Sequence, residues 1–373
     1  MLTVVSFLVL LGVLIFIHEF GHFIVAKRCG VKVLNFSLGF GPKLFSKTVG
    51  ETEYAISLLP LGGYVRLFGE DEKEIVSEEE KQRSFSYQPL KVRFAIVFAG
   101  PMFNFLLAVL FFAVVYIVGI PTLSATIGEV VAGSPAQSAD IRSGDRITNI
   151  NGVAIQSWDE IVKIMSVTDG KAMAITIARN ESKSPNGSVI LQKNIVPIEQ
   201  SVKNVFGEET KTYKLGVTSS QNLFIKKMNP LSAVGEALNK VWEISKLTVV
   251  GIIKIFEGVI SPTKSLGGPI FIAQMAGAQA KAGLLPFVLL IAVLSINLGI
   301  LNLFPIPALD GGHLAFYVVE AIIGKPISPK VREVAQQIGF ALLIALMVFV
   351  VFIDIDRANF GIVNDVKQWI MSK

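Results

Sequence analysis

The chain is 373 residues long, with 52% hydrophobic residues and 17% charged ones. A soluble domain carries about 25% charged residues, so the composition excludes an ordinary water-soluble globule and calls for a lipid-embedded chain with room for one soluble domain. The net charge of +5 is spread over scattered basic residues, without a basic run or interleaved aromatics, which leaves no case for nucleic-acid binding.

A helix crossing the ~30 Å hydrocarbon layer needs about 20 mostly apolar residues. The first such stretch runs from about Leu2 to Ala26. It has no positive leader and no small-residue cleavage site, and its apolar run continues into His18-Glu19-Phe20-Gly21-His22, so it reads as a span and not as a cleaved signal peptide. Next, Glu53 to Leu67 alternates around Pro60 and Gly62-Gly63 and reads as a hairpin, followed by an acidic, solvated loop from Glu70 to Glu80. The second span runs from about Phe94 to Ile120. After a long insert, the third runs from about Leu284 to Phe304 and the fourth from about Val334 to Ile355. Ahead of the third span, Leu231 to Lys246 has helical spacing with Lys240, Glu243 and Lys246 on its polar side. Thr248 to Ile260 is apolar but short and carries Lys254 and Glu257. Both read as interfacial amphipathic helices and not as a fifth span. Gly267 to Ala280 is rich in glycine and alanine, which suits close helix packing.

Basic residues near span ends set the orientation. Lys27, Arg28, Lys32, Lys43, Lys47, Lys91 and Arg93 lie between the first two spans, and Lys325, Lys330 and Arg332 between the last two. Both connections are expected in the cytoplasm, with the N-terminus, the segment Pro121 to Gly283 and the C-terminus outside.

The insert changes to short alternating strands with turn signals. Ala125 to Val131, Asp145 to Ile150, Ala172 to Ala178 and Tyr213 to Val217 read as strands. Ser134-Pro135-Ala136 opens a turn and short helix, Asn151-Gly152 marks a hairpin turn, Trp158 to Met165 reads as a helix, and Ser182 to Ser188 as a hairpin loop. Ser134-Pro135-Ala136, Ala139, Ile141, Gly144-Asp145, Ile147, Ile150 and Asn151-Gly152 resemble a circularly permuted PDZ domain of the bacterial kind, with Asp140 in place of the usual glycine. Such domains bind an extended peptide along a sheet edge. The resemblance implies that Leu215-Gly216-Val217 forms the peptide groove at its carboxylate-binding end.

The chemistry is concentrated in the first span. With one cysteine, Cys29, the chain has no cysteine-built zinc site, so a metal must be held by Asp, Glu and the three histidines His18, His22 and His313. His18 and His22, four apart on a helix, share one face and can hold one Zn²⁺ at about 2.0–2.1 Å. Glu19, between them, can act as general base toward water at that ion. Zinc brings the pKa of such a water to about 7. A charged side chain at the centre of a membrane helix costs at least about 2.5–3.5 kcal/mol, and a metal gives three titratable groups in one apolar segment a reason to be there. Catalytic zinc keeps three protein ligands and an open position. The third span ends in Asn302-Leu303-Phe304-Pro305-Ile306-Pro307-Ala308-Leu309-Asp310-Gly311-Gly312-His313, where two prolines end the helix. On the residues alone, Asp310 and His313 both remain open as the third ligand, and Asp310 also fits as a helix cap.

Together the motifs resemble the site-2 protease family (M50-type intramembrane zinc metalloproteases), in particular its bacterial regulator-of-sigma-E branch. The resemblance rests on His18-Glu19-Phe20-Gly21-His22, Gly39-Phe40-Gly41, Gly100-Pro101 with Asn104, the PDZ-like insert, and Asn302-x-x-Pro305-x-x-x-Leu309-Asp310-Gly311-Gly312. It implies that Asp310 is the third zinc ligand, with His313 a nearby non-ligand. It also implies that Asn302 and Pro305, with Gly39, Phe40, Gly41, Gly62 and Gly63, contact the substrate, and that the Glu53–Leu67 hairpin re-enters the membrane and adds the substrate as a strand. Well-known members carry two PDZ domains in tandem, whereas this chain has room for about one.

The expected fold is an α-helical polytopic membrane protein of about four transmembrane helices, with a membrane re-entrant β-hairpin and an inserted α+β PDZ-like domain. Residues 1–120, with the hairpin at 51–67, form the first half of the membrane core; 121–220 the PDZ-like domain; 221–283 the linker helices; and 284–373 the second half. The expected function is intramembrane zinc proteolysis in a bacterial inner membrane, with the active site toward the cytoplasm. One zinc per chain is expected. The substrates implied are single-span membrane proteins, anti-sigma factors and remnant signal peptides among them, and membrane lipid surrounds the enzyme. The alternative is a non-catalytic metal-binding scaffold with a PDZ-like domain, which would show no cleavage dependent on Glu19. A zinc transporter would need polar residues along several spans, and the second and fourth offer almost none.

Overall fold

The computed structural model describes residues 1–70, 76–180, 188–204 and 206–357. They fall into two compact units, one made of Met1–Val115 with Pro230–Lys373, the other of Tyr116–Asn229.

In the first unit, α1 (Leu2–Arg28) is apolar on all sides, as a helix must be that faces lipid or core throughout. Its 27 residues span about 40 Å at 1.5 Å each, and it ends in Lys27 and Arg28, whose charges suit a helix C-terminus. The chain then forms β1 (Val33–Val49) and β2 (Thr52–Leu67), an antiparallel pair joined by a turn with Gly50 at φ +62°. Residues 35–38 are central to this sheet. They have partners at 63–66 on one edge and at 53–56 on the other, and residues 43–49 pair in turn with 52–57. The hairpin expected over 53–67 therefore has a long partner that period-2 reading leaves out. The reason is local: Gly39 and Gly41, both at positive φ, bend β1 around Phe40 and break its alternation.

Four helices are long and apolar enough to cross a membrane: α1, α2 (Leu90–Val118), α8 (Leu284–Leu303) and α10 (Pro329–Arg357). These are the four expected stretches; α10 starts five residues before Val334. Between α2 and α8, the first unit contributes α5 (Pro230–Phe256), α6 (Pro262–Ser265) and α7 (Pro269–Ala282), and α9 (Asp310–Ile323) lies between α8 and α10. The two amphipathic helices expected at 231–246 and 248–260 are one continuous helix, because no glycine, proline or cap interrupts Lys246-Leu247-Thr248. On α5, Ala233, Ala237 and Val241 are buried, and Thr248 Oγ1 donates to Asn297 Oδ1 of α8 at 2.9 Å. The small residues of α7 pack closely: a Cβ on Gly277 would fall 2.5 Å from Thr3 Oγ1 of α1. The N-terminus of α7 is tied to the far end of α10. Asp354, 2% exposed, accepts from the backbone N–H of Gly268, Ile270 and Phe271 at 2.9, 2.9 and 3.0 Å.

The second unit, in chain order, contains β3 (Ile120–Leu123), β4 (Ile127–Val130), α3 (Pro135–Ser138), β5 (Arg146–Ile150), β6 (Val153–Ala154), α4 (Trp158–Val167), β7 (Met173–Asn180), β8 (Ser188–Ile195), β9 (Ile198–Lys203), β10 (Glu209–Lys214), β11 (Val217–Ser219) and β12 (Leu223–Lys226). A four-stranded sheet of order β6-β5-β7-β8 is accompanied by the pairs β4–β11, β3–β12 and β9–β10. Isoleucines of β5 and β7 point inward, alternating in β7 and separated by an irregularity in β5: Ile147, Ile150, Ile175 and Ile177 are fully buried with Ile127 and Ala136. Asn151 and Gly152, both at positive φ, make the β5–β6 turn as their sequence requires. Asp145, 1% exposed, is held by Arg179 through Nε and Nη2 at 2.8 Å each, and both aspartates beside it, Asp145 first and then Asp140, push the guanidinium pKa above its usual value. The single strand expected at Tyr213–Val217 is two. Gly216, at φ +81°, turns the chain, so Tyr213 and Lys214 pair with β9 and Val217 with β4. Most of the loop expected at 182–188 lies outside the described residues; Ser188 opens β8.

Candidate metal centre

The site begins on α1. His18 and His22 lie one turn apart, with their Nε2 atoms 3.4 Å from each other. Gly21, between them in sequence, lets α2 approach: a Cβ there would overlap the carbonyl of Ala99, lying 2.9 Å from its carbon. Gly100, next on α2, leaves room for the imidazoles, since a Cβ there would fall 2.5 Å from His22 Cε1 and 2.9 Å from His18 Cε1. The close approach lets His22 Nδ1 donate to the Ile96 carbonyl at 2.9 Å, which leaves Nε2 as the acceptor nitrogen of that ring. Pro101 lies inside α2. Its ring meets the carbonyl four residues back, that of Val97, next to Ile96.

The third group arrives from the other half of the unit. Helix α8 stops at Leu303, ahead of Pro305 and Pro307, and α9 restarts at Asp310. The connection folds tightly over Gly311 and Gly312. A Cβ on Gly311 would sit 2.5 Å from Leu303 O, and one on Gly312 would strike the chain at Ile306 and Pro307. Asp310, in the first turn of α9, has its carboxylate at a helix N-terminus, where negative charge is favoured. Its Oδ2 lies 3.1 Å from His18 Nε2 and 3.5 Å from His22 Nε2. Helix α9 is itself fixed to α2 by the largely buried pair Arg93–Glu320 at 2.6 Å, with the guanidinium stacked 5.1 Å over the Tyr317 ring.

The donor set can be tested against a metal. Asp310 Oδ2 is buried and makes no hydrogen bond among the described residues, although two imidazole nitrogens are near it. Three lone-pair atoms thus crowd together without a proton properly shared between them. Bonds of about 2.0–2.1 Å in a tetrahedron place ligand atoms about 3.3–3.4 Å apart. The observed triangle of 3.1, 3.4 and 3.5 Å is one face of such a tetrahedron. Among the described residues, these three side chains are the group able to hold a metal ion.

A cavity of about 830 Å³ adjoins the triangle, lined by His18, Glu19, His22 and Asp310 among others. Of the residues singled out in sequence, Gly63 is on its wall, and a Cβ at Gly63 would lie 3.0 Å from Glu19 Cγ. Asn302, at the end of α8, brings Nδ2 to 3.5 and 3.4 Å from the two ring nitrogens of His18. Pro305 lies in the connection beyond it and is not a wall residue. Gly39, Phe40, Gly41 and Gly62 do not line the cavity either. They form the bend of the sheet, where the Phe40 ring covers Gly62, whose Cβ would fall 2.8 Å from Cζ, and stacks on Tyr64 at 6.1 Å. Leu215, Gly216 and Val217 belong to the second unit. There the Leu215 and Gly216 carbonyls accept from Ala136 and Val131.

Sequence reading missed the far wall. Besides His313, already a candidate from sequence, Glu70, Tyr317, Arg332, Glu333 and Gln336 face the cavity. Glu70 opens the acidic loop and is solvent-exposed, as expected of that loop, while it also borders the cavity. His313 Nε2 lies 3.4 Å from Gln336 Nε2, apart from the triangle, and burial holds its pKa below the usual value. Burial also pushes the Tyr317 phenol up to about 12. Asn104 was visible as part of a motif, without a role; polarity inside an apolar span was the available signal.

Two imidazoles from one apolar helix, a carboxylate from another and a glutamate between the imidazoles define a mononuclear metal-centre arrangement in a helical protein of membrane type. Comparison with known proteins agrees in class. The model of peptidase family M50 matches residues 6–346, and the chain belongs to that family. It is similar to a candidate zinc metalloprotease of Rhizobium meliloti (strain 1021), at 36% identity over 95% of this chain and 96% of the relative. A candidate zinc metalloprotease of Rickettsia conorii is also 36% identical, over 96% and 99%. Protease RseP of Yersinia pestis is 32% identical over 95% and 98%. That last alignment runs over 446 residues, so the relative carries extra sequence inside the matched region.

Proposed function

We propose that this chain is a zinc-dependent intramembrane endopeptidase that hydrolyses peptide bonds within the membrane segments of single-span proteins. The observation that carries the reading is the convergence of His18 Nε2, His22 Nε2 and Asp310 Oδ2 at 3.1–3.5 Å beside Glu19 on a cavity wall. His18, His22 and Asp310 hold one zinc ion, and Glu19 is the general base. Zinc supplies a Lewis acid for the scissile carbonyl and brings water at its open position to a pKa of about 7. Glu19 takes the proton of the attacking water and passes it to the leaving amine. Asn302, whose amide lies beside the His18 ring, holds the substrate backbone through its Nδ2 donor.

A substrate helix hides its peptide bonds, and unpairing them in lipid is costly. Residues 63–67 offer new partners. They pair with β1 on one edge, have no strand on the other among the described residues, and line the cavity at Gly63, Tyr64, Val65 and Leu67. An unwound substrate adds there as a strand. Exposed Phe40, Leu44, Phe45, Leu58 and Leu59 on this sheet support its re-entry into the hydrocarbon layer. The second unit acts as a PDZ-like domain whose Leu215-Gly216-Val217 turn receives an extended peptide; the left-handed turn at Gly216, packed close against Ser134, supports that placing. Anti-sigma factors and remnant signal peptides in a bacterial inner membrane are the proposed substrates. The basic residues at the end of α1 and the start of α10 support an active site toward the cytoplasm, with the second unit outside.

The test compares the membrane proteomes of cells carrying the natural protein or its Glu19→Gln form. Single-span fragments should accumulate only with Glu19→Gln, while purified Glu19→Gln retains zinc. Cleavage by the purified Glu19→Gln protein would overturn the general-base role of Glu19, and identical fragments in both cell types would leave a non-catalytic metal-binding protein as the reading.

A further inference from the structure

The metal triangle uses Nε2 of both histidines, so each ring must carry its proton on Nδ1, and each Nδ1–H needs an acceptor. For His22 that acceptor is the Ile96 carbonyl. For His18 two amides compete. Asn302 Nδ2 lies 3.5 Å from Nδ1 and 3.4 Å from Nε2. Near-equal distances to both nitrogens place it beside the ring and off either N–H axis, at the long limit of a hydrogen bond. Asn104 is different: its amide meets Nδ1 alone, at 3.0 Å. Asn104 is fully buried in α2, and its Oδ1 has no hydrogen-bond partner among the described residues.

An asparagine amide and the same amide turned over fill one envelope, and the surrounding hydrogen bonds decide between them. With Nδ2 toward His18, an N–H would point at Nδ1, forcing the ring proton onto Nε2, where the metal belongs. Turned over, Oδ1 accepts Nδ1–H and frees Nε2. As placed, the oxygen at the other end of the amide has no hydrogen-bond partner among the described residues, so nothing there holds Nδ2 toward His18. Resting on the zinc reading above, we infer that Asn104 is a positioning residue whose Oδ1 accepts the Nδ1–H of His18 and thereby fixes the tautomer that presents Nε2 to the metal. The fold holds Asn104 in place for this. Ser295 Oγ of α8, fully buried, donates to the Asn104 backbone carbonyl at 2.8 Å. Gly100, one turn earlier on the same face, clears the space the two rings occupy.

The test uses the full chain in detergent and reads zinc affinity by competition with a chromogenic chelator, with the visible spectrum of the Co²⁺ form as a second readout. Asn104→Asp keeps an acceptor at the same point, whether charged or protonated, and should bind zinc as tightly as the natural protein or more tightly. Asn104→Leu removes the acceptor at similar volume and should lose about 10–100-fold in zinc affinity and shift the Co²⁺ bands. A tenfold loss in Asn104→Asp overturns the proposal even if Asn104→Leu fails to fold, as does undiminished affinity in Asn104→Leu. If the natural protein binds no zinc, the centre itself has been misread; if it binds and the variants match it, only the role of Asn104 falls.

Discussion

Replacing Gly100 by alanine tests the site at its tightest point. The added methyl would lie 2.5 Å from His22 Cε1 and 2.9 Å from His18 Cε1, whereas ordinary contact begins near 3.4 Å. The methyl would fall closer still to His22 Nε2, so the rings must yield by at least about 0.9 and 0.5 Å, while metal–ligand distances tolerate only about 0.2 Å. The His22 ring cannot simply retreat, because its Nδ1 is bonded to Ile96, on the same face of the same helix as Gly100. Overpacking of this kind costs about 1–3 kcal/mol. If the protein escapes that strain by giving up ligand geometry, zinc affinity falls about 5–150-fold, at 1.4 kcal/mol per tenfold. The metal-free protein, in which the rings can turn aside, should unfold near the natural temperature, so the stabilisation conferred by zinc shrinks specifically. Gly12→Ala is the control. Gly12 lies in α1 with nothing within 4 Å of its would-be Cβ, and alanine there should leave zinc affinity alone and add up to about 1 kcal/mol of stability. Chelator competition and thermal unfolding with and without zinc read both effects. Natural zinc affinity in Gly100→Ala would refute the packing argument and the ring positions it uses.

Asp310→Ala should lose bound zinc and cleavage together, measured by metal analysis of the purified chain and a membrane-protein cleavage assay; full zinc occupancy in that variant would move the third ligand elsewhere. Asp354→Ala orphans the buried N–H groups of Gly268, Ile270 and Phe271. Capping contributes up to about 2 kcal/mol, so it should destabilise by at least about that much, and Asp354→Asn, keeping one acceptor oxygen, by less; equal unfolding temperatures for all three proteins would count against it. His313 has its pKa below the usual 6.5 because of burial. The unfolded chain therefore binds the extra proton first, and His313 costs stability as pH falls below about 6.5. His313→Gln should flatten the decline in unfolding temperature between about pH 7.5 and 5.5, and an unchanged slope would remove His313 as a cause.

The spans and the histidine pair were legible because both are local. Twenty apolar residues in a row, or two imidazoles four apart, need no partner to be recognised. The sheet was half legible. Residues 53–67 alternate, but their partner does not, since Gly39 and Gly41 turn its strand around Phe40. Likewise α5 reads as two segments because its amphipathic first half gives way to a more apolar second half, although nothing between them stops a helix. Long-range closures were not legible. That the Ile96 carbonyl would face His22, or that Asp354 would seat the N-terminus of α7 some 84 residues upstream, depends on helices meeting in space. Asp310 and His313 were both open until the connection over Gly311 and Gly312 aimed one at the histidines and left the other on the cavity wall.

On the proposed reading, hydrolysis in a membrane needs water at lipid depth, and the cavity offers a route for it. His22 precedes Arg28, the last residue of α1, by six positions, about 9 Å of helix. The reactive groups thus sit near the basic end of a 40 Å span and not at its middle. The remaining wall residues come from the same level of the unit. Glu70 and Phe85 lie in the connection ahead of α2, while Pro329, Arg332 and Glu333 lie in the first turns of α10. All flank span ends that carry Lys27, Arg28, Lys91 or Lys330, so the cavity runs from the histidines to the basic boundary of the spans. On that reading, a polar chamber reaching those span ends would give water a short path that crosses no hydrocarbon, and the part of α1 before His18 remains free to pack against its neighbours and lipid. The mixed charges of the wall fit this division: they cost little at the boundary, whereas each would need a dedicated partner at the centre of the bilayer.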